Sequence, residues 1–571
     1  MKRFLSLSMV LILIPASGVY TQERADVVEA FTPSPAMLFV KTSRVRDLVE
    51  SVNFAARNLL VQETAESLNK KREEFKRKTG VDPLDTGSLK NAGIDVERTL
   101  GLALYPPVGS HEDRTLVFIP VKDEKIFPLK FVEILKKLGG DEKLDLYPVI
   151  TAYRNHTVFQ IRKDIFSTAF DGEFMVASTG ELIQRVIDIK EDNAGYLSLD
   201  PKYMDYMSKM QKNYDLRAYA TRDFLKQASR IRKKFNDMLR EKKKDEEPEK
   251  TEGGKGSYTL RTLPIHMMYA AAKGEEGPQK KTESIFSEGP SPFNSVEYAS
   301  LGVTVEPTDV AVDLAVKFNN TSPRVNTFLG VIKTGMSEKA IYVGNAAASA
   351  FISIDFNKIE ELCGSPGTGC AYYEDFKKTI RSELGIDFRR DFIPYYSGIV
   401  DVVAGRPRGA GGGYLIYLPM SQADRGKRLW NTIGEYLKKK FKGTDRFGTG
   451  RIGAADSFWF IDSRNSKIYS VCDARGLYIG NDPELIKTVL SSRLIKDAPE
   501  GDFFGKKLDP NVFSLAYVSK ESLFGALVTL FAYRHKSMRG LVERMADFYL
   551  VGKKIDSYVS IDLVINLLKR K

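Results

Sequence analysis

The chain has 571 residues, 43% hydrophobic and 28% charged, with 44 glycines and 24 prolines spread along its length. That balance gives two large or roughly three to four smaller globular domains and excludes a collagen-like or globally disordered chain. Three cysteines exclude a disulfide-dense scaffold, and four dispersed histidines (His111, His156, His266 and His535) write no HExxH or Cys2His2 metal motif, while the net charge of +12 marks a basic protein.

Met1-Lys2-Arg3, the apolar run Phe4 to Ile14 and the breaker Pro15-Ala16-Ser17-Gly18 have the order of a secretory signal peptide, placed at 1–18. The run is too short to span a bilayer, no cysteine near it offers a lipid attachment point, and no later apolar stretch reaches about 18 residues. The expectation is a chain with no transmembrane segment after signal removal. Loss of Lys2 and Arg3 lowers the charge to +10. Outside the cytoplasm the polyanions on offer are anionic lipid and envelope polymers, so these, or an envelope protein, are the expected partners and nucleic acid is not.

After a lead-in over 19–35, the pattern alternates short strands with amphipathic helices, and it does so twice. Ala36 to Val40 returns as Ala350 to Ile354 at an offset of 314. Leu116 to Pro120 returns as Leu415 to Pro419 at 299, and Leu135-Lys136-Lys137 as Leu437-Lys438-Lys439 at 302. Ile165 to Ser167 and Phe174 to Val176 return at 303, and Ala218-Tyr219 returns as Ala516-Tyr517 at 298. The predicted fold is therefore α+β, with two tandem homologous lobes, 36–320 and 347–571, joined by a connector over 321–346. Short links such as Leu102 to Tyr105 into Leu116 to Val121 give each lobe a mainly antiparallel sheet with amphipathic helices packed on it. Helices are expected over 43–60, 127–138 and 180–189. Two charged, Gly/Pro/Ser-rich stretches, 242–257 and 274–294, read as mobile loops around a strand-like run, Ile265 to Ala272. Val296 to Phe318 reads as a long hairpin turning near Pro307-Thr308-Asp309, and the second lobe ends in a shorter strand pattern, Tyr558 to Leu568.

Cys363 and Cys370 bracket a Gly/Pro-rich loop and read as a disulfide worth about 2 to 3 kcal/mol in an oxidising compartment. Cys472 reads as a small buried residue beside a strand. The glycine run 409–413, preceded by Arg406 and Arg408, joins two strands rather than a strand and a helix, so it reads as a hairpin tip and not a phosphate cradle. In Phe458-Trp459-Phe460 the central ring takes the face opposite its neighbours, which makes Trp459, with Arg406 and Arg408, the candidate groove or surface-binding set. The apolar run Leu523 to Ala532 has the length of a core helix. No catalytic, cofactor or metal set can be written.

Pro33-Ser34-Pro35 ahead of the first strand, Gly80-Val81-Asp82, Gly93-Ile94-Asp95, Gly385-Ile386-Asp387 and the strand-then-Glu-Leu-Ile helices resemble an exported bacterial domain-of-unknown-function family (type 3352). The resemblance covers most of the chain beyond the signal. It implies a periplasmic envelope protein and brings no catalytic residues. The expected function is a non-catalytic binding or scaffold protein of the cell envelope; an envelope hydrolase with a site assembled from distant residues, and a secreted adhesin, are the alternatives.

Overall fold

The computed structural model describes residues 27–59, 62–108, 114–139, 148–210, 214–227, 295–335, 339–342, 346–363, 371–405, 413–462, 465–494, 509–519 and 544–568. The expected signal peptide, both expected mobile loops, the run Ile265 to Ala272 and the apolar run Leu523 to Ala532 lie outside them.

Among the described residues one antiparallel sheet of twenty strands organises the chain. The first half contributes β1 (Leu38–Thr42), β2 (Gly101–Tyr105), β3 (Arg114–Pro120), β4 (Val149–Tyr153), β5 (His156–Arg162), β6 (Ile165–Phe170), β7 (Glu173–Ala177), β8 (Leu216–Thr221), β9 (Val296–Val305) and β10 (Asp309–Phe318). The second half contributes β11 (Ala348–Ser353), β12 (Ile399–Ala404), β13 (Tyr414–Pro419), β14 (Phe447–Ile452), β15 (Ala455–Ile461), β16 (Lys467–Cys472), β17 (Gly476–Gly480), β18 (Val512–Ser519), β19 (Met545–Ile555) and β20 (Tyr558–Leu567).

In space the first half runs β4-β5-β6-β7-β3-β2-β1-β8-β9-β10. The second runs β14-β15-β16-β17-β13-β12-β11-β18-β19-β20, the same order strand for strand. The two sheets meet where β10 pairs with β20, from Asp309 opposite Asn566 to Lys317 opposite Tyr558, with Asp313 facing Asp562 at the middle.

One rung leads outward from that middle. In the first half it passes through Gly302, Arg217, Lys41, Gly101, Phe118 and Met175. In the second it passes through Val551, Leu515, Phe351, Asp401, Tyr417 and Tyr478. The register places Val40 opposite Leu102 and Ala218, and Ala350 opposite Val402 and Ala516, so the opening strands correspond at an offset of 310 and not 314. A slip of four is even, so it keeps every side chain on its face, which is why the apolar match of the sequence survived it. The second half also ends in a full hairpin, β19-β20, rather than the shorter strand pattern. The Gly552-Lys553-Lys554 stretch of β19 breaks the alternation by which a strand is read.

Helices cover both faces. α1 (Val27–Phe31), α2 (Val45–Asn58), α3 (Gln62–Thr79), α4 (Thr86–Ala92), α5 (Phe127–Gly139), α6 (Gly180–Asp192), α7 (Pro201–Lys209), α8 (Pro323–Val331), α9 (Phe356–Cys363), α10 (Ala371–Leu384), α11 (Ala423–Lys440) and α12 (Pro483–Leu490) follow in chain order. β7 is buried throughout, because alternate side chains serve two cores: Met175 and Ala177 meet α6 on the upper face, while Phe174 and Val176 meet α5 on the lower. β17 repeats this, with Tyr478 against α12 above and Leu477 against α11 below. Such two-sided burial explains the continuous apolar runs of these strands. Thr179, Asp200 and Asp482 accept backbone N–H bonds at the starts of α6, α7 and α12, which fixes where each chain turn leaves the sheet.

The seam has a packing signature. Tyr214 lies flat over Gly302, where a Cβ would fall 2.5 Å from the ring, and its hydroxyl donates to Asp313. Gly302→Ala is therefore expected to cost about 1 to 3 kcal/mol through overpacking beside a buried hydrogen bond. Urea unfolding of the two proteins measures this; an unchanged midpoint would show that the Tyr214 ring is not fixed there.

Candidate functional site

Of the candidate groove set, Trp459 alone lies among the described residues. Trp459 is half-buried on β15, its indole over Gly448 of β14, and Lys467 Nζ stands 3.8 Å from the ring centroid. Trp459, Tyr469, Gly480, Leu415 and Val403 share one rung, so the flanks of the β12–β13 loop sit at the same end of the sheet, three strands or about 14 Å from the indole. Arg406 and Arg408, on that loop, lie outside the described residues. Gly413 closes the loop against the start of α12, where a Cβ would meet Asp482 at 2.5 Å, as a hairpin tip requires. Trp459 is thus a ring already covered on one face by Gly448 and approached by a cation.

The disulfide needs correction. No disulfide joins two described residues, and the expected partner of Cys363, Cys370, lies outside them. Cys363 ends α9 and is not a free thiol. Cys472 is free and buried at the end of β16, and burial, followed by Asp473, pushes its thiol up to about 11, so it carries little thiolate near neutrality.

Sequence reasoning missed a buried polar layer on the upper face of the first half. Lys41 on β1 meets Glu29 on α1 at 2.6 Å, and Tyr203 donates to Glu29 at 2.6 Å. Tyr298 donates to Asp205 at 2.6 Å, and the rings of Tyr203, Tyr206, Tyr219 and Tyr298 meet at centroid distances from 5.2 to 6.3 Å. Burial raises the phenol pKa of all four and so keeps them protonated, and Tyr203 and Tyr298 donate to the Glu29 and Asp205 carboxylates, so the layer is a packed polar filling rather than an acid–base device. The tyrosine spacing 203, 206, 214, 219 was the available signal.

The second half fills the matching place differently. Asp401 is buried, accepts the Ile341 N–H at 2.9 Å, and so holds the ribbon Ile341–Tyr342 over the sheet; burial raises its carboxyl well above the usual range. Where the halves adjoin, a cleft of about 510 Å³ is lined by Asn320, Asn326, Thr334, Asn511 and Lys554. Lys554 Nζ donates to the Leu329 and Ile332 carbonyls at 2.5 and 2.7 Å, capping the end of α8. Among the described residues there is no group of three or more His, Cys, Asp or Glu residues able to hold a metal ion, and no helix long and apolar enough to cross a membrane.

No family model matches the chain, and no curated protein matches it. Among solved structures, crystal forms I and III of TP0453 align with 53% and 55% of this chain and with 82% and 88% of their own, at 7% and 9% identity and TM-scores of 0.22 and 0.23. Likeness at that level carries no argument.

Asp215, at the start of β8, gives this region a measurable pH dependence. Burial pushes its carboxyl from 3.8 up to about 7, against the Val305 N–H that donates to Oδ2 at 3.2 Å and with the charges of Asp47 and Glu306. The folded state binds the proton more tightly than the unfolded chain, so the stability is present below pH 4 and is lost as pH rises to about 7. Asp215→Asn keeps an acceptor for Val305 and removes the charge. It should recover on the order of 2 kcal/mol at pH 8 and flatten the urea-stability slope between pH 4 and 7; an unaltered slope would locate the titration elsewhere.

Proposed function

We propose that the chain is a non-catalytic binding or scaffold protein of the bacterial cell envelope, built from two copies of one α+β unit, that engages anionic lipid or envelope polymer through its cations. The repeat is supported by the shared order of ten strands, by helices α5 and α11, and α6 and α12, following matching strands, and by registers that bring matching residues, Asp313 and Asp562, face to face at the seam. Export is supported by the secretory pattern of residues 1–18, and the periplasm and the type 3352 family remain the assignments that the resemblance implies.

The observation that carries the binding reading is α11. Its Leu429, Trp430, Ile433 and Leu437 pack under the sheet, while Arg425, Lys427, Arg428, Lys438, Lys439 and Lys440 are exposed. Lysines in the last turn also complement the helix dipole, an effect of less than about 1 kcal/mol that gives no role to Arg425, Lys427 and Arg428 in the first turns. The buried ionisable groups, by contrast, are engaged within the fold, which disfavours the hydrolase reading.

Attraction of exposed cations is screened over about 8 Å at physiological ionic strength. The mature protein should sediment with vesicles containing phosphatidylglycerol, ignore neutral phosphatidylcholine vesicles, and lose most of its binding between 50 and 300 mM salt, values chosen to bracket roughly that screening length. Equal binding to both vesicle types, or none to either at low salt, would leave the positive charge as a solubility feature.

A further inference from the structure

We infer that helix α5 of the first half is the element that inserts into an anionic lipid surface, with Ile126 and Leu129 entering the headgroup boundary. This rests on the envelope-surface reading above, in which α11 supplies cations, and adds to it an apolar inserting element in the first half.

The inner stripe of α5, Phe127, Phe131, Val132 and Leu135, packs under β5, β6 and β7. Its outer stripe should be polar, since a helix with one buried face places charged residues on the other. Instead Leu129, and Ile126 in the turn that leads into α5, are 57% and 52% exposed. The second half shows that the fold does not need them. Phe131 and Leu135 hold the places of Ile433 and Leu437 in α11, spaced alike and packed alike. At the same offset Ile126 corresponds to Arg428 and Leu129 to Asn431, both exposed polar residues. The adjoining sheet edge repeats the difference. Ile150 on β4, 61% exposed, lies opposite Phe159, whereas Thr449 on β14 lies opposite the matching Phe458. The apolar residues are thus an addition to a scaffold that stands without them.

Charge selects the occupant. Residues 122–137 hold five lysines and three acids. Two of the acids serve backbone N–H groups: Asp123 Oδ1 accepts from Lys125 and Ile126 at 2.9 and 3.0 Å, and Glu124 accepts from Gly172. Glu133 alone stands on the outer stripe, with Lys130 and Lys137, and α3, which packs beside α5, adds exposed Lys70 and Lys71. Apolar side chains flanked by lysines on one helix face are the pattern by which a helix lies in an interface, the lysines meeting lipid phosphates while the apolar groups enter the acyl boundary. A second copy of this chain would bring like charge against like.

The test uses the full mature chain with vesicles of equal phosphatidylglycerol and phosphatidylcholine. Ile126→Ser with Leu129→Asn, the latter the residue the second half carries, should weaken binding roughly tenfold while circular dichroism and urea midpoint stay unchanged. Leu129→Trp should be quenched by brominated acyl chains. If the unchanged protein binds these vesicles and the double variant binds equally, or the tryptophan is not quenched, the assignment to α5 falls and the surface reading stands. If the unchanged protein does not bind at low salt, both fall. Loss of self-association in the double variant with vesicle binding intact would assign the face to a second copy and overturn the proposal.

Discussion

The pairing of β10 with β20 is the constraint on which the rest of the architecture depends. A sheet edge leaves a row of unmatched backbone donors and acceptors, and a chain with two separate ten-stranded sheets would carry four such edges. Joining them over nine consecutive residue pairs leaves β4 and β14 as the outer strands among the described residues. The join is antiparallel and centred on matching residues, so each half meets the other as one protomer meets its partner in a two-fold dimer, where residue i contacts j and j contacts i. Asp313 and Asp562 then face one another at the centre of the join. The cost of that juxtaposition is moderated by the Tyr214 hydroxyl, which donates to Asp313.

Much of this order was legible in the sequence, and the reason is local. Strand-helix alternation, the Glu-Leu-Ile helix starts at 181–183 and 484–486, and the β9–β10 hairpin are set by neighbours in the chain, through capping residues and through two-sided burial of β7 and β17. What was not legible is relational. The seam joins segments some 250 residues apart, and the strands that form it carry the same Val, Ile and Leu alternation as any other antiparallel pair. The offset between the two opening strands was read four residues too long because period-two patterning cannot distinguish even shifts. Of the candidate groove set only Trp459 is described, and the feature that gives it a neighbour, Lys467, lies on the adjacent strand. The exposed Ile126 and Leu129 were hidden in a helix whose apolar residues all read as core until the fold showed which side was covered.

The two halves also show how one scaffold accepts different fillings. At one rung the first half has Lys41 beside Gly101 and the second has Phe351 beside Asp401. Gly101 has no Cβ because Val28 of α1 occupies its place, 2.3 Å from where that atom would lie. Lys41 then finds its counter-charge in Glu29 of the same helix. In the second half an apolar Phe351 removes the need for a counter-charge, and Asp401 instead satisfies the N–H of Ile341. Replacing a buried ion pair by packed apolar groups is often neutral in stability, so neither solution is forced by the sheet. What is forced is that an entering segment cover the rung. α1 does so by close packing, the Ile341–Tyr342 ribbon by a hydrogen bond.

Because the two halves share one strand order, they can be compared position by position. Positions that agree in both halves, such as the alternating faces of β7 and β17, report what the sheet requires. Positions that differ while remaining buried, such as Lys41 and Phe351, report alternative ways of filling the same space, and their polar groups have partners inside the fold. Positions that differ at the surface, with one half apolar and the other polar, are not set by the sheet: α11 packs with Arg428 and Asn431 exposed where the first half has Ile126 and Leu129. Exposed apolar area costs solubility and contributes nothing to a core. Ile126, Leu129 and Ile150 are the surface positions at which the first half adds apolar side chains beside lysines, and the proposed insertion of α5 rests on that difference between the halves.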